Sequence, residues 1–260
     1  MRLDLYLTKN GICESRNKAA ALIADGKILV NEKRITKASF SVADCDKIDV
    51  ISDEKLYVAR SANKLLTAID KFGLELKDKT VVDLGASTGG FCEVMLDYGV
   101  KKIYAVDIGT NQLHPKIKSD PRIINMEHTN ARFVTASDFQ DKIDLVTCDL
   151  SFISLKLVLN AVMCTLADGG IFVGLVKPQF EVGSCNLGKN GVVKDLKLHA
   201  LAIKNVSDYA CQIGFEVVDV CFSGLAGESG NKEYLLYMKK SGKSDNLIYD
   251  KINCAVLGGE

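Results

Sequence analysis

From Thr80 onward the chain carries short runs in which apolar residues are contiguous instead of alternating with polar ones: Thr80 to Leu84, Ile103 to Asp107, Arg122 to Asn125, Ile143 to Cys148, Ile171 to Val176, Phe215 to Cys221 and Glu233 to Met238. A strand that is apolar on both faces must be covered on both faces. That is the condition of a mostly parallel sheet wound with helices on either side, and it predicts an α/β domain of seven strands. No helix fits between the last two runs, so the final strand is expected to return antiparallel to the rest. Ser61 to Phe72 reads as a helix leading into the first strand. Leu155 to Val176 is the most apolar region, but Lys156, Asn160 and Asp168-Gly169-Gly170 interrupt it. It therefore divides into a helix and a strand and is not expected to insert in a membrane.

The first fifty residues follow a different pattern. Leu3, Tyr6 and Leu7 share a helical stripe closed by Gly11, and Ser15 is placed to cap a second helix with Ala19, Leu22 and Ile23 inward and Gly26 at its end. Ile28-Leu29-Val30 and Asn31-Glu32-Lys33-Arg34-Ile35 predict a strand, a turn and a return strand, with a further strand at Asp46 to Val50. Residues 1–52 thus form a small α+β module, too small to be an enzyme alone. The polar Ser52-Asp53-Glu54-Lys55 leads into a linker over 53–60, residues 61–240 make the α/β domain, and 241–260, beginning Ser241-Gly242-Lys243-Ser244, read as a flexible tail.

Thirty-three basic and thirty-three acidic residues cancel, which argues against nucleic-acid binding through bulk charge. Residues 1 to 40 nevertheless hold eight basic side chains (Arg2, Lys9, Arg16, Lys18, Lys27, Lys33, Arg34, Lys37) against four acidic ones. The charge is concentrated on the small module. Nine cysteines form no Cys-x-x-Cys pair and no zinc-spaced cluster, so reduced thiols and no metal centre are expected. No basic segment followed by an apolar run opens the chain, and a cytoplasmic location is expected.

The candidate chemistry begins at the first strand of the α/β domain. Asp83-Leu84-Gly85-Ala86-Ser87-Thr88-Gly89-Gly90-Phe91 sets a glycine-rich turn between that strand and a helix, where backbone N–H groups can meet an anionic group. The glycine spacing is not the G-x-G-x-x-G of dinucleotide enzymes. S-adenosyl-L-methionine suits it better, because its carboxylate can take the backbone donors and Asp83 can receive its ammonium group. Asp107, twenty-two residues after Gly85 at the end of the second strand, is placed to accept both ribose hydroxyls of an adenosine. Candidate cofactor contacts are therefore Asp83, Gly85, Ser87, Thr88, Gly89, Gly90, Phe91 and Asp107.

Asp149 and Lys177 stand at the carboxyl ends of the fourth and fifth strands, beside this crevice. Lys64 lies on the preceding helix and Glu233 at the start of the last strand, and spacing alone does not bring the four together. Five sets of residues carry a resemblance: Ser15-Arg16-Asn17-Lys18-Ala19 with Asp25 to Asn31; Asp83 to Phe91; Cys148-Asp149-Leu150-Ser151-Phe152-Ile153-Ser154; Lys177-Pro178-Gln179-Phe180-Glu181; and Gly230-Asn231-Lys232-Glu233-Tyr234. Over nearly its whole length the chain resembles TlyA-type (hemolysin A family) ribosomal RNA 2′-O-methyltransferases. The resemblance implies an S4 RNA-binding domain followed by an FtsJ-type, Rossmann-like methyltransferase domain. It implies a Lys64, Asp149, Lys177, Glu233 catalytic tetrad, S-adenosyl-L-methionine as cofactor, and a cytidine ribose in ribosomal RNA of ribosomal subunits as substrate. The sequence departs from the family at Ser61-Ala62, where a glycine is expected after the arginine.

A ribose hydroxyl is a poor nucleophile, so methyl transfer needs alignment and help with one proton. Lys177 is expected at the 2′-oxygen, with Asp149 and Glu233 positioning it and Lys64. The RNA would be held through phosphates by Arg2, Arg16, Lys18, Lys27, Lys33 and Arg34. His114, His128 and His199 stand alone and read as surface or loop histidines. Ser87 and Ser151 lack a nucleophile-elbow context, and Cys92 reads as buried packing. The competing classes are a non-catalytic ribosome-assembly factor, a membrane-active hemolysin and an NAD-dependent reductase.

Overall fold

The computed structural model describes residues 1–13, 15–43, 45–50, 57–227, 230–242 and 248–258, with the side chain of Lys189 also left aside. The chain divides into two units, Met1–Leu56 and Tyr57–Glu260.

In the first unit, α1 (Leu3–Lys9) and α2 (Arg16–Ala24) pack on a sheet of β1 (Ile28–Val30), β2 (Lys33–Ile35) and β3 (Ile48–Val50) in the order β2-β1-β3. Ser15 caps α2 as its position predicted, its Oγ accepting the Lys18 N–H at 3.3 Å. Asn31 and Glu32 both take positive φ (49° and 66°), the mirror-image turn whose twist matches a two-residue hairpin. Leu3, Leu7, Ala19, Ile23 and Ile28 are fully buried in a small core.

In the second unit the elements are α3 (Ala62–Phe72), β4 (Thr80–Leu84), α4 (Gly90–Asp97), β5 (Lys102–Val106), α5 (Pro115–Lys118), β6 (Ile123–Met126), β7 (Ile143–Cys148), α6 (Lys156–Thr165), β8 (Leu166–Val176), α7 (Pro178–Glu181), α8 (Leu196–Gln212), β9 (Phe215–Ala226), β10 (Lys232–Lys240) and α9 (Tyr249–Leu257). The seven strands lie in the order β6-β5-β4-β7-β8-β10-β9. β10 is antiparallel to both neighbours, and the pairs among β4 to β8 are parallel. This is the Rossmann-like sheet with a reversed last strand.

Contiguous apolar runs are explained by two cores on opposite faces of this sheet. Val82, Leu84, Val106, Phe172 and Tyr234 face α6 and α8, while Val81, Ile103, Leu145, Val173 and Leu235 face α3, α4 and Ile117 of α5. Successive strand residues point to opposite faces, so every position in β4 is buried.

Three expectations need correction. Residues 241–260 are not all a loose tail: α9 follows Ile248, and Ile248, Ile252 and Val256 are buried in the larger core. Of the linker over 53–60, residues 53–56 lie outside the described residues, whereas Tyr57 to Arg60 belong to the second unit, with Val58 buried. His199 is not a surface histidine. It is 2% exposed, with Nε2 at 2.8 Å from the Val193 carbonyl and Nδ1 at 2.8 Å from Tyr234 Oη. All nine cysteines are free thiols. Among the described residues no helix is long and apolar enough to cross a membrane.

Candidate active site

The strand order runs outward in both directions from β4 and β7, the place in an open α/β sheet where two loops diverge and leave a crevice. Leu84 pairs with Cys148, so the turns beginning at Gly85 and Asp149 emerge side by side, and Asp149 N–H donates to Leu84 O at 3.0 Å. Gly85 has φ +84°, and a Cβ there would stand 2.7 Å from the Asp149 carbonyl oxygen. Only glycine lets the two turns approach so closely.

Gly85 and Ala86 N–H groups both donate to Val106 O (2.9 and 3.1 Å), which ties the turn to the end of β5. One Asp107 oxygen accepts the Ser87 N–H and the other the Gly109 N–H, each at 2.8 Å. Gly89 is the N-cap of α4. The turn thus delivers a helix N-terminus to the crevice.

A cavity of about 740 Å³ opens here, lined by Asp83, Gly85, Ser87, Thr88 and Phe91 together with Lys64, Asp149, Lys177 and Glu233. Gly89 and Gly90 do not line it. Their lack of a side chain serves packing instead: a Cβ on Gly89 would press on Leu113 and Ile117, and one on Gly90 would collide with the Ser61 hydroxyl. Ser61, the departure from the family pattern, therefore sits directly over α4 and also lines the cavity. A second cavity of about 440 Å³ holds Asp107 with Ile108, Thr129, Asn130, Ala131 and Leu150, and shares Gly85, Ser151 and Phe152 with the first. The second cavity's loop residues carry no sequence signal, because the segment after β6 has neither strand nor helix periodicity.

Asp83 is 1% exposed, with Thr147 Oγ1 donating to one oxygen at 2.8 Å and the Cys92 thiol to the other at 3.2 Å. Burial pushes its pKa up to about 6, the two hydrogen bonds oppose the shift, and the negative charges of Asp149 and Asp107 add to it. Both of these donors are neutral, which leaves an uncompensated acid at the cavity wall. Cys92 is buried as expected, and its thiol pKa is raised well above the ordinary value by burial and by Asp83.

The four charged residues form a closed ring. Lys64 Nζ lies 3.0 Å from Asp149 Oδ2 and 2.7 Å from Glu233 Oε2, and Lys177 Nζ lies 2.8 Å from Asp149 Oδ1 and 3.9 Å from Glu233 Oε1. Their side chains are between 4% and 14% exposed, so the pairs are poorly screened by water. Burial disfavours the Lys64 ammonium, but Asp149 and Glu233 outweigh it and raise its pKa. Burial likewise disfavours ionised Asp149, and the two lysines overcome that and lower its pKa. Ser151, which has no hydrolase context in the sequence, accepts a hydrogen bond from Lys177 Nζ at 3.0 Å.

In the first unit Arg16, Lys18, Lys33 and Arg34 are exposed and Lys27 is half-buried. Arg2 and Arg16 both bind the buried Asp4, at 3.0 and 2.9 Å. Part of their charge is thus committed inside the module.

Known proteins agree with this organisation. The FtsJ-like methyltransferase family model matches residues 57–240 and the S4 domain model residues 1–48. The 16S/23S rRNA (cytidine-2′-O)-methyltransferase TlyA of Mycobacterium tuberculosis is 41% identical over 92% of this chain and 89% of its own length. The 23S rRNA (cytidine-2′-O)-methyltransferase TlyA of Campylobacter jejuni is 36% identical over 93% of this chain and 100% of its own. A solved structure of a candidate hemolysin from Streptococcus thermophilus superposes with a TM-score of 0.78 at 37% identity, covering 99% of this chain and 94% of that one. With both domains matched and the relatives spanned almost end to end, the chain belongs to the TlyA, or hemolysin A, family of FtsJ-like methyltransferases with an N-terminal S4 domain.

Proposed function

We propose that the protein is an S-adenosyl-L-methionine-dependent methyltransferase acting on the 2′-hydroxyl of cytidine in ribosomal RNA. The observation that carries this reading is the buried Lys64-Asp149-Lys177-Glu233 ring in a cavity that shares walls with the Asp107 pocket. Such a ring offers alignment and charge stabilisation without a dedicated nucleophile, which matches the transfer of an already activated methyl group.

The residues fit the cofactor. Asp83, with two neutral partners, suits an ammonium group; the turn at Gly85 to Thr88 suits a carboxylate; Asp107 suits a ribose diol; and the Ile108, Ala131 and Leu150 side chains suit the faces of an adenine. The bound cofactor would supply an electrophilic sulfonium methyl. Lys177 is assigned to the attacking 2′-oxygen. It hydrogen-bonds that oxygen, aiming a lone pair at the methyl and steadying negative charge as the hydroxyl proton passes to solvent water. Asp149 holds both lysines through its two oxygens. Lys64, kept charged by its two carboxylate neighbours, prevents Asp149 and Glu233 from repelling each other.

The S4 domain supports RNA as the substrate class, with Arg2, Arg16, Lys18, Lys27, Lys33 and Arg34 as phosphate contacts. A ribosomal substrate supports the reading that the protein works in the cytoplasm. The relatives named above are described as acting on 16S and 23S RNA, or on 23S RNA alone. The direct test is incubation with tritiated S-adenosyl-L-methionine and, separately, small and large ribosomal subunits from cells lacking the enzyme, with the label mapped by mass spectrometry. Label in 2′-O-methylcytidine is expected; cofactor and RNA binding without label would favour a non-catalytic assembly role.

A further inference from the structure

The loop that leaves β7 at Asp149 and the segment that leaves β8 at Lys177 each carry one member of the charged ring, and beyond the strand ends no sheet pairing holds them together. Three contacts do. Lys177 Nζ donates to Ser151 Oγ at 3.0 Å. The Phe152 ring lies against Phe180, centroids 5.4 Å apart. Glu181 takes two hydrogen bonds, from Ser154 Oγ to Oε2 and from the Leu155 N–H to Oε1, each at 2.7 Å. Partner positions advance together along both segments, so the contacts act like successive rungs.

The Glu181 rung is chemically the most demanding. Both of its partners are donors, both carboxylate oxygens are used, and Leu155 is the N-cap of α6, so the carboxylate also meets the positive end of a ten-residue helix. The loop it holds contains Phe152 at φ 65°, an uncommon backbone conformation for a residue that is 91% exposed, so the restraint comes from the flanking loop residues. Glu181 lines neither cavity, so it has no contact with a bound substrate there.

We infer that Glu181 is a positioning residue for methyl transfer: it fastens the 149–155 loop to the Lys177 segment and so maintains the 2.8 Å contact between Asp149 and Lys177. This rests on the methyltransferase reading. An alanine at 181 would remove both acceptors and release the rung, whereas a glutamine would keep it, its amide oxygen accepting the Leu155 N–H and its NH₂ donating to the Ser154 hydroxyl. Ser154→Ala removes one partner without touching Glu181; Ser154 also lines the second cavity, so cofactor Kd is read beside kcat for this variant.

The test compares wild type, Glu181→Ala, Glu181→Gln, Ser154→Ala and the Glu181→Ala, Ser154→Ala double variant for kcat and KM with ribosomal subunits, for cofactor Kd and for Tm. Glu181→Ala is expected to lower kcat by about tenfold, Ser154→Ala by a smaller factor and Glu181→Gln least of all, with KM and cofactor Kd within about twofold of wild type. The double variant should be no slower than Glu181→Ala, since both changes break one rung. Unchanged kcat in Glu181→Ala and Ser154→Ala, or a kcat loss matched by an equal weakening of cofactor binding, overturns the role. If Glu181→Ala does not fold, Ser154→Ala decides alone. An inactive wild type would instead refute the methyltransferase reading on which the role depends.

Discussion

Glu233 stands opposite Lys177 because the reversed strand pairs Tyr234 with Val176, so the two charged residues occupy the ends of adjacent antiparallel strands, 3.9 Å apart at their tips. Asp149 reaches the same point by the parallel pairing of Leu84 with Cys148 and of Cys148 with Gly174. Three of the four ring members are therefore placed by sheet register, the most rigid framework the fold offers, and Lys64 reaches them from the first turn of α3.

Glu233→Gln should both slow the reaction and destabilise the fold. It keeps the shape but leaves Lys64 and Lys177 sharing one carboxylate in a site that is almost dry, and breaking a buried pair in this way costs about 3 kcal/mol. Urea unfolding followed by circular dichroism checks the stability, and label transfer checks the rate. A variant as stable and as fast as wild type would show that the ring is not electrostatically coupled.

Asp83 should weaken the cofactor-free protein as pH rises. Its folded-state pKa of about 6 lies above the ordinary 3.8, so the folded chain holds this proton more tightly than the unfolded chain does. The associated stability, about 3 kcal/mol, is present below pH 4 and is lost as pH climbs through 6. Asp83→Asn cannot ionise, so its Tm advantage over wild type should be larger at pH 8 than at pH 5. The same variant should bind S-adenosyl-L-methionine at least about tenfold more weakly at pH 8, because an ammonium group loses its counter-charge. Parallel melting curves at the two pH values, with calorimetric titration of the cofactor, read both effects. A Tm difference that does not change with pH would count against ionised Asp83.

Two glycine substitutions separate backbone strain from close approach. Gly73 ends α3 at φ +61°, and a Cβ placed there would meet nothing within 4 Å, so Gly73→Ala should cost only the left-handed penalty, about 1 kcal/mol. Gly85→Ala adds a clash with the Asp149 backbone. It should be the more destabilising and should sharply reduce turnover by shifting Asp149, while Gly73→Ala keeps full turnover. Equal activity of the two variants would detach the glycine turn from the ring.

Much of this is legible in the sequence where one physical rule dominates. The strands announce themselves because both sheet faces are covered, and charged residues at otherwise apolar strand ends mark the crevice. Ring closure is not legible, because it depends on register between strands distant in sequence; only the family resemblance joins Lys64 to Glu233. α9 is hidden although Ile248, Ile252 and Val256 recur every four residues, since a polar stretch precedes them and the pattern spans only nine positions. β8 begins at Leu166, five residues before the expected Ile171, because Asp168-Gly169-Gly170 reads as a break yet is accommodated within the strand. The burial of His199 leaves no mark in the sequence because its side-chain partner, Tyr234, comes from β10, and its other partner is a backbone carbonyl, that of Val193.

Within the first unit, Lys33 and Arg34 lie exposed on β2. Their joint replacement by alanine should weaken RNA binding and lower the slope of log affinity against log salt by about one per lost phosphate contact. Arg16→Ala should disturb stability more and salt dependence less, since Arg16 is held by Asp4. Filter binding across a salt series distinguishes the two patterns. An unchanged slope in the Lys33, Arg34 variant would remove β2 from the RNA contact.

Lys177 is assigned to the 2′-oxygen while the cofactor is held by other residues, and that division of labour is the centre of the mechanism. The measurement that tests it most directly sets wild type beside Lys177→Ala, with calorimetric binding of S-adenosyl-L-methionine and tritium transfer to ribosomal subunits measured on the same preparations. Cofactor affinity should stay within a few-fold of wild type while label transfer falls by about a hundredfold or more. A Lys177→Ala protein that binds the cofactor and methylates at the wild-type rate would contradict the assignment.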